Sequence, residues 1–316
     1  MVASNTEYFM SDMDDKTHCF YISFDLDDDG EIYQKIDDWS EDIFDDIANF
    51  ALGKPKALEL AQDSPRKAHR EGRRLLYNID EVKSANEYYL SKQYSKEDDR
   101  YLNRGEFGEL ILYHLLDRKL NKPQLISKLY FKDSFNAVVH GFDAVHYDTQ
   151  NNDLWLGESK FYKDKNSALR ELAKDLYDHF NVNFFNQEFT IISNRFSDLN
   201  IENETIKQLI DPNTKFLSKM IKINACFFAL FDSKIVNSFS YESGTDNPSQ
   251  GSDRVSENFE EKLKEAMRQT RNYFEKQISD FQNKERLKIH LLLFPVTSKN
   301  ELVRKLHHKL KKESEA

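Results

Sequence analysis

Two acidic residues and one lysine stand at spacings that could build a metal site on two neighbouring strands. Glu158 and Lys160 are two residues apart, with Ser159 between them, and Asp143 precedes them in a separate apolar segment. Side chains alternate across a strand, so Glu158 and Lys160 share one face and Ser159 points to the other. Charged residues inside such core-like strands are costly unless they are paired or bind a cation, which indicates a functional site.

The turn between the two segments decides how close the carboxylates come. A turn centred on Gln150 and Asn151 places Asp143 directly opposite Glu158, with Cβ atoms about 4.5–5.5 Å apart. Two carboxylates that close repel each other unless a proton or cation lies between them. Mg²⁺ takes one or two carboxylates together with water and phosphate oxygens. The pattern therefore predicts a Mg²⁺ site, with Mn²⁺ as a substitute; the alternative is a salt bridge from Lys160 on an exposed sheet face.

A predicted helix over 104–116 precedes these strands and offers further carboxylates. Glu106 and Glu109 are three residues apart, so both can lie near one helix face. Glu106 suits the N-terminal charge that a helix dipole favours. Glu109 lies beside the apolar stripe, where an unpaired carboxylate is harder to accommodate. We therefore predict Glu109 as the fourth site residue, completing the metal shell with Asp143 and Glu158.

The elements that must position these residues predict an α/β fold, an α+β mixed sheet flanked by helices. The predicted strands are 18–24, 125–131, 138–147, 154–162, 221–231 and 287–296, and the predicted helices are 37–52, parts of 54–77, 104–116, 167–180, 256–281 and 302–310. Residues 1–100 form an acidic, largely helical lead-in unit, and residues 101–316 form the domain that carries the site.

Charge is distributed unevenly along the chain. Residues 1–50 hold 15 acidic and 2 basic side chains, whereas the net charge of the whole chain is -10, so the remainder is slightly basic. Such asymmetry is typical of an interaction surface or of a solvated acidic face. Two cysteines do not make a disulfide framework and fit a reducing cytoplasm. No apolar stretch is long enough for a membrane span.

Two further patterns have ordinary alternatives. Asp25, Asp27 and Asp29 match the early ligands of an EF-hand loop, but Ile36 stands where the bidentate glutamate belongs, so a plain acidic turn is the better interpretation. A row of arginines near one helical face could contact phosphate or dock on the acidic lead-in segment; it comprises Arg66, Arg70, Arg73 and Arg74.

The order of a helix glutamate, an aspartate and a Glu-x-Lys triplet across a hairpin resembles the PD-(D/E)xK phosphodiesterase superfamily. Gly141-Phe142-Asp143 stands where that superfamily has its Pro-Asp, so the proline is missing, and Glu158-Ser159-Lys160 matches the triplet. The resemblance implies a restriction-endonuclease-like core and metal-dependent DNA hydrolysis. In it, Asp143, Glu158 and Glu109 hold Mg²⁺, and Lys160 positions or deprotonates the attacking water.

Three segments are similar to the HamA family, the nuclease subunits of the Hachiman anti-phage defence system: RGEFGELILYHLL, HGFDAVHYD and LWLGESKFYKD. That resemblance implies a DNA nuclease working with a HamB-type superfamily-two helicase and no membrane partner. The alternatives are a non-catalytic DNA-sensing or adaptor subunit and a stand-alone resolvase or restriction-type nuclease. A chain without a strongly basic surface argues mildly against independent DNA binding, which depends on phosphate neutralisation.

Overall fold

The computed structural model of the chain describes residues 5–12, 14–76, 106–127, 141–148, 150–194, 204–211, 213–242, 254–255, 257–282 and 284–315. The predicted boundary at residue 100 lies outside these residues. So do most of the predicted strand 125–131 and the start of the predicted strand 138–147.

A six-stranded mixed sheet forms the centre of the described structure. In spatial order its strands are β1 (Thr6–Met10), β2 (Thr17–Ile22), β10 (Lys288–Val296), β7 (Ile223–Asp232), β6 (Asp153–Phe161) and β5 (Ala144–Asp148). The four inner strands are parallel, and the two outer strands are antiparallel to their neighbours. Two small pairs complete the described strands: β3 (Phe24–Leu26) with β4 (Ile32–Gln34), and β8 (Tyr241–Glu242) with β9 (Arg254–Val255). The predicted α/β class is confirmed.

Helices cover both faces of this sheet. They are α1 (Ile36–Asp45), α2 (Ile47–Leu52), α3 (Lys54–Asp63), α4 (Pro65–Leu76), α5 (Glu106–His114), α6 (Lys165–His179), α7 (Val182–Asn194), α8 (Glu204–Ile210), α9 (Phe216–Met220), α10 (Glu257–Gln277) and α11 (Lys299–Glu315). A π-helical turn, Leu115–Lys119, continues α5, and single 3-10 turns occupy Val236–Ser238 and Lys284–Arg286. We call the face covered by α6, α7 and α10 the α6 face, and the face covered by α1, α2, α5 and α11 the α5 face.

Strand β7 contributes side chains to both layers of the core, one on each face of the sheet. Its odd-numbered side chains, such as Phe227, pack on the α6 face, and its even-numbered side chains, such as Phe228, pack on the α5 face. Both are fully buried. A parallel strand covered on both faces is apolar throughout instead of alternating with polar residues, which is why the runs 221–231 and 287–296 could be recognised as strands.

The predicted helix over 37–52 is wrong in one respect, because the helix breaks at Asp46. This carboxylate is buried between α1 and α2 and reaches across to the α5 segment. It accepts hydrogen bonds from His114 Nδ1 at 2.8 Å and from Arg118 Nε and Nη2 at 3.0 and 2.7 Å. Burial alone would raise the pKa of Asp46, but these hydrogen bonds outweigh it and hold the pKa below its ordinary value.

Other departures from the expected elements are local. Residues 125–127 form no strand, although the chain there meets β5 through an isolated bridge from Gln124 to His146 and a backbone hydrogen bond from Leu125 to Val145. The loop expected over 241–254 is flanked by the short pair β8 and β9. Helix α5 ends in a π-helical turn instead of continuing regularly to residue 116. Strand β1 and helices α7 to α9 were not predicted.

A line of polar side chains crosses five strands of the sheet near the start of β6. Tyr8 on β1 bonds His18 Nδ1 on β2 at 2.8 Å, and His18 Nε2 bonds His290 Nδ1 on β10 at 3.3 Å. His290 Nε2 bonds Asn224 Oδ1 on β7 at 3.0 Å, and Asn224 Nδ2 donates to Asp153 Oδ2 on β6 at 3.4 Å. One tautomer, with the proton on Nε2 of both neutral histidines, satisfies every bond along this line.

Removal of the Asp46 carboxylate should be strongly destabilising. We expect Asp46→Ala to lower the free energy of unfolding by about 3–5 kcal/mol, because it leaves His114 and Arg118 without their shared buried partner. Urea unfolding at pH 7 measures the change. The neighbouring Asp45 is exposed, so Asp45→Ala is the matched control. Equal effects of the two substitutions would contradict the role given to Asp46.

Acid should weaken the fold through His18 and His290. Burial lowers the pKa of His18 to about 4 and that of His290 to about 2, whereas an unfolded histidine titrates near about 6.5. Between these values the unfolded chain binds more protons, so stability falls as the pH drops from 7 to 5. Each buried histidine can account for up to about 2 kcal/mol of that loss at pH 5.

The histidine contribution can be isolated by comparing variants at both pH values. In His290→Gln, the stability lost between pH 7 and pH 5 should be smaller than in the wild type by about 1–2 kcal/mol. His308, which is exposed, provides the control substitution His308→Gln, whose loss should match the wild type. If His290→Gln loses as much stability as the wild type does, the two-histidine explanation fails.

Candidate functional site

The hairpin of β5 and β6 has the register that the sequence predicted. Ala144 pairs with Gly157 and Asp148 pairs with Asp153, so the turn is centred on Gln150 and Asn151, as expected. The Asp148 carboxylate organises this turn. Its Oδ1 accepts the N–H groups of Gln150 and Asn151 at 2.9 and 3.2 Å, and its Oδ2 accepts Lys122 Nζ at 2.6 Å.

Asp143 lies immediately before β5, beside the segment that carries the Glu-x-Lys triplet. Its Oδ2 accepts two hydrogen bonds from Ser159, one from the backbone N–H at 2.8 Å and one from the hydroxyl at 2.7 Å. Phe142 fixes the chain here, because its ring is buried against Phe180, Phe184 and Phe185 on the α6 face. The buried ring of Phe142 thus holds Asp143 in place, and Phe142 stands where the PD-(D/E)xK superfamily has its proline.

Glu158 is a buried carboxyl group with one strong partner. It lies on the α6 face, is 3% exposed, and its Oε1 bonds His179 Nδ1 at 2.6 Å. Burial, the largest cause, and the nearby charges of Asp143 and Asp175 raise the pKa of Glu158, the bond and charge of His179 oppose them, and the net pKa is about 8. Burial would lower the pKa of His179, but the bond to Glu158 outweighs it and the net shift is upward.

Lys160 lies on the same face as Glu158 and pairs with a second residue of α6. Its Nζ is 2.6 Å from Asp175 Oδ2. Burial alone would lower the pKa of Lys160, but its interaction with the Asp175 carboxylate and the charges of Glu158 and Asp143 raise it overall. Burial is also the largest influence on Asp175, and it raises the pKa of that carboxyl group. Lys160 is therefore a charged ammonium group held in place by a partly buried partner.

Three site residues were not predicted from the sequence. Asp175 and His179 are four apart on α6, so they share one helix face and contact Lys160 and Glu158. Asp175 stands in a stripe of otherwise apolar buried residues, a signal that could have been noticed. Glu188 on α7 is 3% exposed, its Oε2 accepts no hydrogen bond from the described residues, and burial raises its pKa to about 7. The nearby charge of His179 opposes this rise in the pKa of Glu188.

Glu109 lies on the helix that covers the other face of the sheet. Glu109 is next to Gly108, the residue at which α5 packs closely on β6. A Cβ atom added at Gly108 would be only 2.9 Å from Ser159 Oγ. Ser159 points to the α5 face, whereas Glu158 and Lys160 point to the α6 face. Glu109 is therefore the sequence neighbour of the residue at which α5 contacts the hairpin. Its place in a metal shell stays a prediction. The side chain of Glu106 lies outside what the structure describes.

The carboxylate oxygens of this cluster are the type of ligand that a hard divalent cation prefers. Asp143 and Glu158 are close enough for their charges to interact, and Glu158 is a buried acid that a neighbouring cation would help to ionise. Within the described ranges, however, no three histidine, cysteine, aspartate or glutamate side chains are arranged to hold a metal ion. The predicted set of Asp143, Glu158 and Glu109 would need side-chain rearrangement to act together.

Among the described residues, the ion pairs of the acidic segment and those of the arginine row are made with other partners. On α1, Asp37 faces Lys305 of α11 at 3.4 Å, and Glu41 pairs with Lys309 of α11. On α4, Arg74 pairs with Glu71 on its own helix. The lead-in acidity is thus partly neutralised by the C-terminal helix.

The suspected calcium loop is a hairpin turn between β3 and β4. Asp27 Oδ1 accepts the N–H groups of Asp29 and Glu31 at 3.0 and 2.9 Å, and Gly30 has a φ of 82°. The carboxylate therefore stabilises its own turn, which confirms the interpretation as a plain acidic turn.

Comparison with protein-family models matches residues 4–310 to the model described as HamA. A comparison with curated proteins gives no match. Across the residues described, none of the helices combines the length and the apolar character that crossing a membrane would need.

The close packing of Gly108 on Ser159, which joins α5 to the hairpin, can be tested by substitution. Gly108→Ala should lower stability by about 1–3 kcal/mol through overpacking, against a gain of about 1 kcal/mol in helix propensity. In a Ser159→Ala background the 2.9 Å contact is absent, so the same substitution should be neutral or stabilising. A double-mutant cycle by urea unfolding measures the coupling. Equal effects of Gly108→Ala in both backgrounds would contradict this packing.

Proposed function

Because the chain belongs to the HamA family of anti-phage defence proteins, we propose that it is a Mg²⁺-dependent deoxyribonuclease of the PD-(D/E)xK type. In this proposal it hydrolyses DNA phosphodiester bonds together with a HamB-type superfamily-two helicase. The observation that carries the proposal is the meeting of Asp143, Glu158 and Lys160 at one end of the β5–β6 hairpin. Each is held by a defined partner: Ser159, His179 and Asp175, respectively.

Each side chain of this cluster has a role in the proposed hydrolysis. Asp143 and Glu158 would hold Mg²⁺, with Glu109 completing the shell directly or through water. Mg²⁺, when bound, supplies electrostatic stabilisation of the charge that develops on the phosphate. Lys160 would position the attacking water and stabilise the developing negative charge from its own side. Asp175 and His179 would orient Lys160 and Glu158, because both come from one helix that packs on the sheet.

Charge supports the helicase part of the proposal. The chain carries a net charge of -10, and two of the basic side chains on α11 are already paired with α1. Affinity for DNA depends on neutralising phosphates, so a protein of this charge benefits from a partner that delivers the DNA. The proposed partner is tested by whether the helicase co-purifies with the chain and increases its cleavage of plasmid DNA.

A second candidate function, a non-catalytic DNA-sensing or adaptor subunit, is favoured by one observation. Asp143 and Glu158 are both engaged by protein partners, and no three described metal-binding side chains are gathered together. An adaptor would keep such a cluster as a structural network. It would recruit DNA or the helicase without turnover in Mg²⁺ or Mn²⁺, which separates it from the nuclease.

Loss of any central side chain should abolish cleavage if the nuclease proposal holds. Asp143→Ala, Glu158→Ala and Lys160→Ala should each reduce plasmid cleavage in Mg²⁺ at least about 100-fold, the scale of a lost electrostatic catalytic contact. EDTA should have the same effect on the wild type. Asp178→Ala and Lys174→Ala are matched controls, because both side chains are exposed on α6.

The order of the helix variants tests the fourth residue. Glu109→Ala should reduce activity more than Glu106→Ala, and the reverse order would transfer the role to Glu106. The proposal is abandoned if a folded Asp143→Ala, Glu158→Ala, Lys160→Ala triple variant cuts DNA at the wild-type rate. Circular dichroism and urea unfolding of each variant distinguish lost chemistry from lost fold.

A further inference from the structure

A cavity opens at the carboxyl ends of the parallel strands, apart from the carboxylate cluster. Its volume is about 190 Å³, and its wall includes Phe231 and Asp232 at the end of β7, Lys165 at the start of α6, and Leu263 and Thr270 on α10. In α/β sheets, ligands bind in the crevice outside the carboxyl ends of the strands. The position is therefore one where a ligand site is common, and none of the residues proposed for DNA cleavage lines it.

Lys165 is the chemically unusual residue of this cavity. Its ammonium Nζ is 2.9 Å from Thr270 Oγ1 and 5.9 Å from the centre of the Phe231 ring. Thr270 donates its own hydroxyl proton to Ala266 O, so the hydroxyl accepts from Lys165. An ammonium group has three N–H donors. Among the described residues no carboxylate lies within ion-pair distance of Lys165, although the side chain is half-buried and burial lowers its pKa.

The carboxylates nearest to Lys165 already have other roles. Asp232 Oδ1 accepts the backbone N–H of Lys299 at 2.6 Å, at the start of α11. Asp164 caps α6, because its Oδ1 accepts the N–H and the hydroxyl of Ser167 at 2.8 and 2.7 Å. Asp164 still favours the charged form of Lys165 through its own charge. Asp232 is thus engaged at the start of α11 and Asp164 at the start of α6, and neither is within ion-pair distance of Lys165.

Most of the rest of the wall is apolar, and its charged residues besides Lys165 are Asp232 and the exposed Lys234. It includes Leu263, Met267, Leu293 and Pro295. Cys19 also lines it, and burial raises the pKa of this thiol, so it stays uncharged. A dry apolar cavity of about 150 Å³ holds a benzene molecule. The space of about 190 Å³ therefore fits a ring or short branched chain with one acidic group.

From the largely apolar wall and the half-buried ammonium group of Lys165, we propose that this cavity binds a small organic anion. The ligand class is a carboxylate or phosphate monoester with a compact apolar body. Its acidic group bonds Lys165, and its apolar body fills the space between α10 and the ends of β7 and β10. Binding at this site does not depend on the proposed nuclease activity. It is measured by calorimetry and not by DNA cleavage.

Calorimetric titration of the full chain with four probes of one shape tests the proposal. Benzoate and phenyl phosphate are the anions and distinguish the two acidic groups, benzyl alcohol is the neutral probe, and benzylamine is the cationic probe. At least one anion should bind saturably, at least tenfold more tightly than the neutral and cationic probes. Lys165→Met should weaken that binding at least tenfold, and Ala266→Leu should block it by filling the cavity while Lys165 remains.

Lys163→Met is the matched control, because Lys163 is exposed two residues away and does not line the cavity; it should bind as the wild type does. Lys165→Arg, which keeps the charge, should retain part of the affinity and shows that the fold tolerates a change at this position. The proposal is overturned if neither anion binds. It is also overturned if the neutral probe binds equally well, or if Lys165→Met binds the anions as the wild type does.

Discussion

The register of the β5–β6 hairpin is the constraint on which the candidate site depends. A slip of one residue would turn every side chain of β6 to the opposite face, so that Glu158 and Lys160 would leave the α6 face and Ser159 would leave the α5 face. Asp148 opposes such a slip, because its carboxylate accepts two backbone N–H groups of the turn and the ammonium of Lys122. These contacts hold the pKa of Asp148 at about 2, despite the opposing effect of burial.

Burial of Glu158 in this register creates an electrostatic problem that the neighbouring elements only partly solve. Burial and the neighbouring carboxylates raise its pKa to about 8 even with His179 beside it, so further positive charge nearby would favour its ionised form. His179 bonds the carboxyl group directly, while Lys160 is directed toward Asp175. A carboxyl group that is buried, close to other carboxyl groups and incompletely compensated is typical of sites that bind a cation.

The hairpin and the central strands could be predicted from the sequence because their signals are local. The turn formers between Asp148 and Asp153 set the register, and the continuous apolar runs set β7 and β10. The partners of Glu158 and Lys160 could not be predicted, because α6 returns across the sheet and only its packing angle brings Asp175 and His179 to them. The break at Asp46 was missed for the same reason: a tertiary contact with His114 and Arg118 overrides a helical pattern that runs through the residue.

The two faces of the sheet contribute differently to the site, and Ser159 connects them. Its backbone N–H and hydroxyl both hold Asp143, while its hydroxyl lies against Gly108 on α5. The helix that carries Glu109 is therefore packed directly on the residue that positions the first carboxylate. Glu158 and Lys160, on either side of Ser159, are instead held from the opposite face by His179 and Asp175 of α6. The positions of the two carboxylates thus depend on contacts that α5 and α6 make on opposite faces of one strand.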